Sequence, residues 1–150
     1  MTAAPPRPRI VDVAFWSWLA AAVLLIVGGI LPQFLSFGTV RSAALKTVTD
    51  EQIRSWLLLH KSAGVVGVLL GLAIAYLASR TRRGDKRFRR AAVALSLAGV
   101  VLLTIGWFAA IVTLYALPAM IALIVAVGLI TRPNAAAWYD ELNQPEGGNV

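Results

Sequence analysis

The chain has 150 residues, 59% of them apolar and only 14% charged, with a formal net charge of +7. Soluble domains carry about 25% charged residues, and a chain this short has too large a surface to hide so many apolar side chains. That composition excludes a soluble enzyme and points to a protein that lives in a membrane.

Residues 1–10, with three prolines and two arginines, read as a disordered cationic lead. The apolar run from Val11 to Phe37 is longer than the 7–15-residue core of a signal peptide and no A-x-A cleavage site follows it. It predicts a first transmembrane helix over about 12–36, with Phe15, Trp16 and Trp18 as an interfacial aromatic belt. Residues 37–49 read as a polar connection. Thr49 and Gln52 then have the spacing of a capping box, and Asp50 and Glu51 suit the first turn of a helix, where the dipole favours anions. Asp50 and Arg54 are spaced to pair across one turn. The second helix is expected over 50–80, about 45 Å long and so longer than the roughly 30 Å hydrocarbon layer.

A cationic turn centred on Gly84 follows, and then 41 residues from Ala91 to Thr131 without a charge. One helix of that length would measure about 60 Å, so two are expected, over about 88–109 and 112–131. The turn is placed near Trp107–Thr113, with Pro118 in the first turns of the fourth helix. Arg132-Pro133 stops that helix. Residues 133–150 read as an interfacial Trp138-Tyr139 pair followed by a disordered acidic tail. The fold expected is an all-α integral membrane four-helix bundle occupying residues 11–132.

Basic residues orient it. With a cytoplasmic N-terminus the inner side carries Arg7, Arg9, Arg80, Arg82, Arg83, Lys86, Arg87, Arg89, Arg90 and Arg132, ten in all, against Arg41, Lys46, Arg54 and Lys61, four, outside. The positive-inside rule therefore puts both ends in the cytoplasm.

There is no cysteine and one histidine, His60, which excludes thiolate chemistry, disulfides and haem or metal sites built from several histidines of one chain. The seven acids lie near or beyond the ends of the apolar stretches, leaving no carboxylate pair for acid–base work within the bilayer. No phosphate-binding glycine loop, nucleophile elbow or zinc motif occurs. No catalytic, cofactor-binding or metal-ligating residue is assigned, no cofactor is expected, and nucleic acid is not an expected partner. Ser17, Ser96, Thr104, Thr113, Tyr76 and Tyr115 are the polar groups at depth, and they are expected to bond to backbone carbonyls rather than to outline a conduit.

Three groups of residues stand out. Ala63, Gly67, Gly71, Ala75 and Ser79 form a row of small side chains on the second helix, including a GxxxG motif, and predict close helix packing within the chain or with a partner. Arg80, Arg82, Arg83, Lys86, Arg87, Arg89 and Arg90 set topology and attract anionic lipid headgroups. Asp12, His60 and Lys61 are the ionisable groups nearest the membrane. Asp12 beside Arg7 and Arg9 reads as a solvated cap or ion-pair partner rather than a proton-coupling carboxylate. His60 and Lys61 read as an interfacial pair, with a proton- or anion-sensitive site as the sharper alternative.

The opening RPRIVDVAFWSWLAAAVLLIVGG and the closing LITRPNAAAWYDEL resemble small four-helix membrane proteins of actinobacteria, in which an Arg-Pro lead precedes an aromatic-rich first helix and an Arg-Pro stop precedes an interfacial aromatic. The resemblance implies a multi-pass protein of the bacterial inner membrane. That group has no assigned activity, so it implies no site residue. The expected role is an accessory or scaffolding subunit that associates through helix faces with itself or a larger membrane complex; the alternative is a minimal homo-oligomeric transporter or channel for a lipophilic or cationic solute.

Overall fold

A computed structural model describes residues 6–111 and 114–142, which are helical throughout apart from short connections. Helix α1 spans Arg9–Ile30 and runs on into a 3-10 turn, Leu31–Phe34. Helix α2 is Phe37–Ala43, α3 Asp50–Thr81, α4 Lys86–Phe108, α5 Ala116–Ile130 and α6 Pro133–Leu142. Among the described residues there is no strand. Three segments are long and apolar enough to cross a membrane: Arg9–Phe34, α3 and α4. Helix α5 has only 15 residues, about 22 Å at 1.5 Å per residue, and reaches spanning length only together with α6, across a 61° bend.

Local chemistry sets the ends of these helices. At α3 the Gln52 N–H donates to Thr49 Oγ1 (3.3 Å) and the Thr49 N–H donates to Gln52 Oε1 (2.9 Å), which satisfies two otherwise orphaned donors. Asp85 caps α4 by accepting from the N–H groups of Arg87 (2.8 Å) and Phe88 (3.4 Å). The α3–α4 turn passes through Gly84 at φ +89°, a left-handed conformation that suits glycine.

The end of α4 is unusual. The Ile111 N–H donates to Gly106 O (2.9 Å) and the Ala110 N–H to Trp107 O (3.0 Å), the paired bonds of a Schellman ending. Its left-handed position, normally glycine, is filled by Ala110 at φ 54°.

Several boundaries differ from those expected. The regular part of α1 covers 9–30 rather than 12–36, because Pro32 has no N–H to continue the ladder and the chain tightens into the 3-10 turn. Residues 37–43 are helical rather than a plain connection, started by Ser36, whose Oγ accepts from the Thr39 N–H (3.1 Å). The helix expected over 112–131 begins at Ala116, since the Schellman ending uses Ile111; Thr113 lies outside the described residues. Pro118 sits in the first turn of α5, where its missing N–H costs no helical bond. The segment after Arg132 is not a loose tail: Pro133 starts α6, which runs to Leu142, and residues 143–150 lie outside the described part.

Helix α1 packs against α3 and α5, and α4 packs against the same two, so α1 lies diagonally opposite α4. The core along these seams combines small residues such as Ala14, Ala21, Ala22, Ala119 and Ala126 with Trp18, Leu25, Ile74, Leu123 and Ile130. Small side chains let backbones approach closely, which helices surrounded by lipid need because lipid tails are as apolar as leucine. One hydrogen-bonded chain crosses the diagonal: the Trp18 indole N–H donates to Ser96 Oγ (2.8 Å), and the Ser96 hydroxyl donates to Ala92 O (2.7 Å). Trp18 is therefore a buried tie between α1 and α4 and not part of an aromatic belt, whereas Trp16 does face outward.

Candidate functional site

Two regions of the molecule gather chemistry, one at each end of the helices. The first is the cationic end, where the start of α1, the α3–α4 turn and α6 meet. Asp12 accepts from Arg82 (2.9 Å) and from Arg7 (3.4 Å), so its main partner lies 70 residues away and not in the lead alone. The Arg82 guanidinium also lies over the Phe15 ring at 4.7 Å. Lys86 pairs with Asp140 at 2.6 Å, and Arg89 lies over the Tyr139 ring at 5.1 Å. Arg80 stands near the rings of both Tyr76 and Phe88. Arg83, Arg87 and Arg90 are exposed and make no ion pair or ring contact among the described residues.

Helix α6 is the clasp of this end. Trp138 and Tyr139, expected at the interface, are buried, because α6 folds back over the α3–α4 turn. The Tyr139 hydroxyl donates to Thr81 O at 2.7 Å, satisfying a carbonyl at the C-terminus of α3. A side chain at Gly84 would meet Leu142 Cδ1 at 2.6 Å, so α6 packs directly on the turn, and it is the positive φ that requires glycine. Burial pushes the Tyr139 phenol up to about 12, partly opposed by Arg89 and Arg7. The hydrogen bond and charge of Lys86 hold the Asp140 carboxyl below its usual range, so it stays an anion and keeps its partner.

The second region is a cleft of about 270 Å³ toward the opposite end, between α3 and α4 and roofed by the end of α1. Its wall includes His60, Gly67, Leu70, Leu103, Gly106 and Tyr115. His60 is 8% exposed, stacked on Trp56 at 3.8 Å between ring centroids. Its Nδ1–H donates to Trp56 O at 2.9 Å, which fixes the ring's orientation and tautomer. Lys61 is half-buried, and its carbonyl accepts from Gln33 Nε2 at 2.9 Å. His60 lines the cleft, and Lys61 does not.

Two members of the row of small residues, Gly67 and Gly71, face α1, where an added Cβ would meet Leu25 O at 3.5 Å and Ala22 O at 2.8 Å; Ala63 and Gly67 also line the cleft, and Ser79 is exposed. Ala75 is half-buried. The closest approach is between Gly29 and Gly64, where a Cβ on either would collide with the other's carbonyl oxygen. Gly64 was outside the expected row; the Gly28-Gly29 pair in the first helix was the available signal for it.

The expected Asp50–Arg54 pair does not form. Arg41 of α2 reaches Asp50 at 3.2 Å, and Arg54 lies over the Phe37 ring at 5.6 Å, because α2 folds against the start of α3 and offers both residues a partner. Ser17, Ser62 and Thr104 donate to the carbonyls one turn back, at 2.7–3.0 Å. Among the described residues no group of three His, Cys, Asp or Glu could hold a metal ion. The chain matches no protein-family model, no curated protein and no solved structure.

Proposed function

We propose that the protein is a non-catalytic, multi-pass component of a bacterial inner membrane, a four-helix bundle with both ends in the cytoplasm, acting as an accessory or scaffolding subunit. The observation that carries this reading is the construction of the cationic end. Contacts from Arg82 to Asp12, Lys86 to Asp140 and Tyr139 to Thr81 tie α1, α3, α4 and α6 into one basic face. Such a face stabilises a fixed depth and orientation at an anionic membrane surface. Ser17, Ser96 and Thr104 bond to backbone one turn away, which favours packing over transport. The exposed lengths of α3 and α4, with Leu69, Leu72, Val101 and Ile105, supply the apolar faces for association.

Purification in a mild detergent, followed by mass measurement and cross-linking in native membranes, tests the role. A stable homo-oligomer or a stoichiometric membrane-protein partner is the expected result. A lone monomer by both methods overturns it.

A second reading rests on the cleft. An apolar cavity with one histidine in its wall suits a lipophilic solute with a polar head, and makes the protein a minimal transporter. In that case His60→Ala abolishes flux in reconstituted vesicles; unchanged flux removes the reading. Asp12 supports it less, since Arg82 and Arg7 neutralise that carboxylate at the membrane surface.

A further inference from the structure

Between the first turns of α4 and the α5–α6 bend lies a groove of about 460 Å³. Its rim is basic: Lys86, Arg89 and Arg90. Its floor is apolar: Val93, Ala94 and Leu97, continuing along α4 away from the cationic end. From Arg90 to Leu97 is seven residues, about 10 Å along a helix. Charge at one end and hydrocarbon below it is the profile of one phospholipid.

The rim is also arranged so that its cations are not all spent. Lys86 neutralises Asp140, the carboxylate on the opposite wall. The Arg89 guanidinium lies over the Tyr139 ring at 5.1 Å, a contact that uses none of its N–H donors in an ion pair and leaves them for a phosphate. Arg90 has no ion pair or ring contact among the described residues. Two guanidinium groups one residue apart thus remain for an anion, beside a wall whose single negative charge is already held.

We propose that this groove is a binding site for one anionic phospholipid of the cytoplasmic leaflet. The phosphodiester sits between Arg89 and Arg90, and an acyl chain runs over Val93, Ala94 and Leu97. Basic pockets between membrane helices on the cytoplasmic side recognise such headgroups in general. The site rests on the membrane-embedded reading above and adds to it a lipid of defined class at a defined place. It also gives α6 a purpose, because Tyr139 and Asp140 of that helix hold Arg89 and Lys86 in position.

The test uses the full chain in nanodiscs of phosphatidylcholine with a minor share of phosphatidylglycerol, released gently for native mass spectrometry. The wild type retains one phosphatidylglycerol. Arg89→Gln with Arg90→Gln weakens retention by at least about tenfold, because the phosphate loses its charge-assisted hydrogen bonds. Arg9→Gln with Arg83→Gln removes the same charge from the same end, outside the groove, and leaves retention within about twofold. Ala94→Trp fills the floor without changing charge and also releases the lipid. Equal loss in both arginine pairs means diffuse attraction and overturns the site, as does full retention in the Arg89/Arg90 variant. Displacement by millimolar glycerol phosphate overturns it too, since a headgroup alone would then be enough. Failure to enter nanodiscs at all refutes the membrane reading instead, so the two failures are told apart.

Discussion

Ala110 and Tyr139 show how much single side chains decide here. Ala110 holds a left-handed backbone conformation at the Schellman ending of α4, which costs an L-residue with a Cβ about 1 kcal/mol relative to glycine. Ala110→Gly is therefore expected to raise the melting temperature in detergent by about 2–4 °C, measured by circular dichroism, and an unchanged or lower value contradicts the strain. The same residue explains why this turn is the hardest boundary to read from sequence: the glycine that usually marks a helix end is missing. Tyr139 makes a pH prediction. Its phenol ionises near 12 when folded and near 10.0 when unfolded, so the folded state favours the protonated form. The stabilisation is complete below about pH 10 and is lost as pH rises toward 12. One of the three tyrosines should lag in an alkaline absorbance titration at a wavelength specific for tyrosinate, and Tyr139→Phe should remove that lagging step.

Helices are legible from sequence where the signal is local, and only partly legible where it depends on a distant neighbour. The capping box at Thr49 and Gln52 needs three residues and appears as its spacing predicts. The GxxxG pair Gly67 and Gly71 does turn to α1, but the tightest contact of that seam, Gly64 against Gly29, depends on where Gly29 falls in another helix and so lies outside the row. Trp18 reads as interfacial by position but is buried because Ser96, 78 residues on, accepts its N–H. Two glycine-to-alanine changes separate these effects. At Gly64 the new methyl would strike Gly29 O, and overpacking of such a contact costs about 1–3 kcal/mol. At Gly128 a Cβ meets nothing within 4 Å, and the helix gains up to about 1 kcal/mol from alanine's higher propensity. Thermal unfolding in one detergent should move in opposite directions for the two; a gain at Gly64 contradicts the α1–α3 seam, and a loss at Gly128 contradicts its open position on α5.

Across the whole molecule the asymmetry of charge and the asymmetry of structure coincide. Ten of the fourteen basic residues belong to the end where α1 begins, α3 passes to α4 and α6 closes back. The other end holds the 3-10 turn after α1, the short α2 with its ion pair to Asp50, and the Schellman ending of α4. Antiparallel helices of even number bring the lead, the central turn and α6 to one side, and an odd number would separate the lead from α6. The shortness of α5 is the point on which this depends, since its 15 residues fall below the hydrocarbon thickness. A crossing there requires the residues flanking it, or local thinning of the bilayer, to make up the difference. The chain has no cysteine, so single cysteines can report side without background. Lys46→Cys should react with a membrane-impermeant maleimide on intact spheroplasts. In the proposed arrangement Arg87→Cys and Glu141→Cys react only after permeabilisation, because there both follow an even number of crossings from a cytoplasmic start. If Glu141→Cys reacts on intact cells while Arg87→Cys does not, α5 ends the chain outside. The contact between Lys86 and Asp140 could not then exist across the bilayer, so labelling at position 141 decides the fourth crossing and the α6 clasp together.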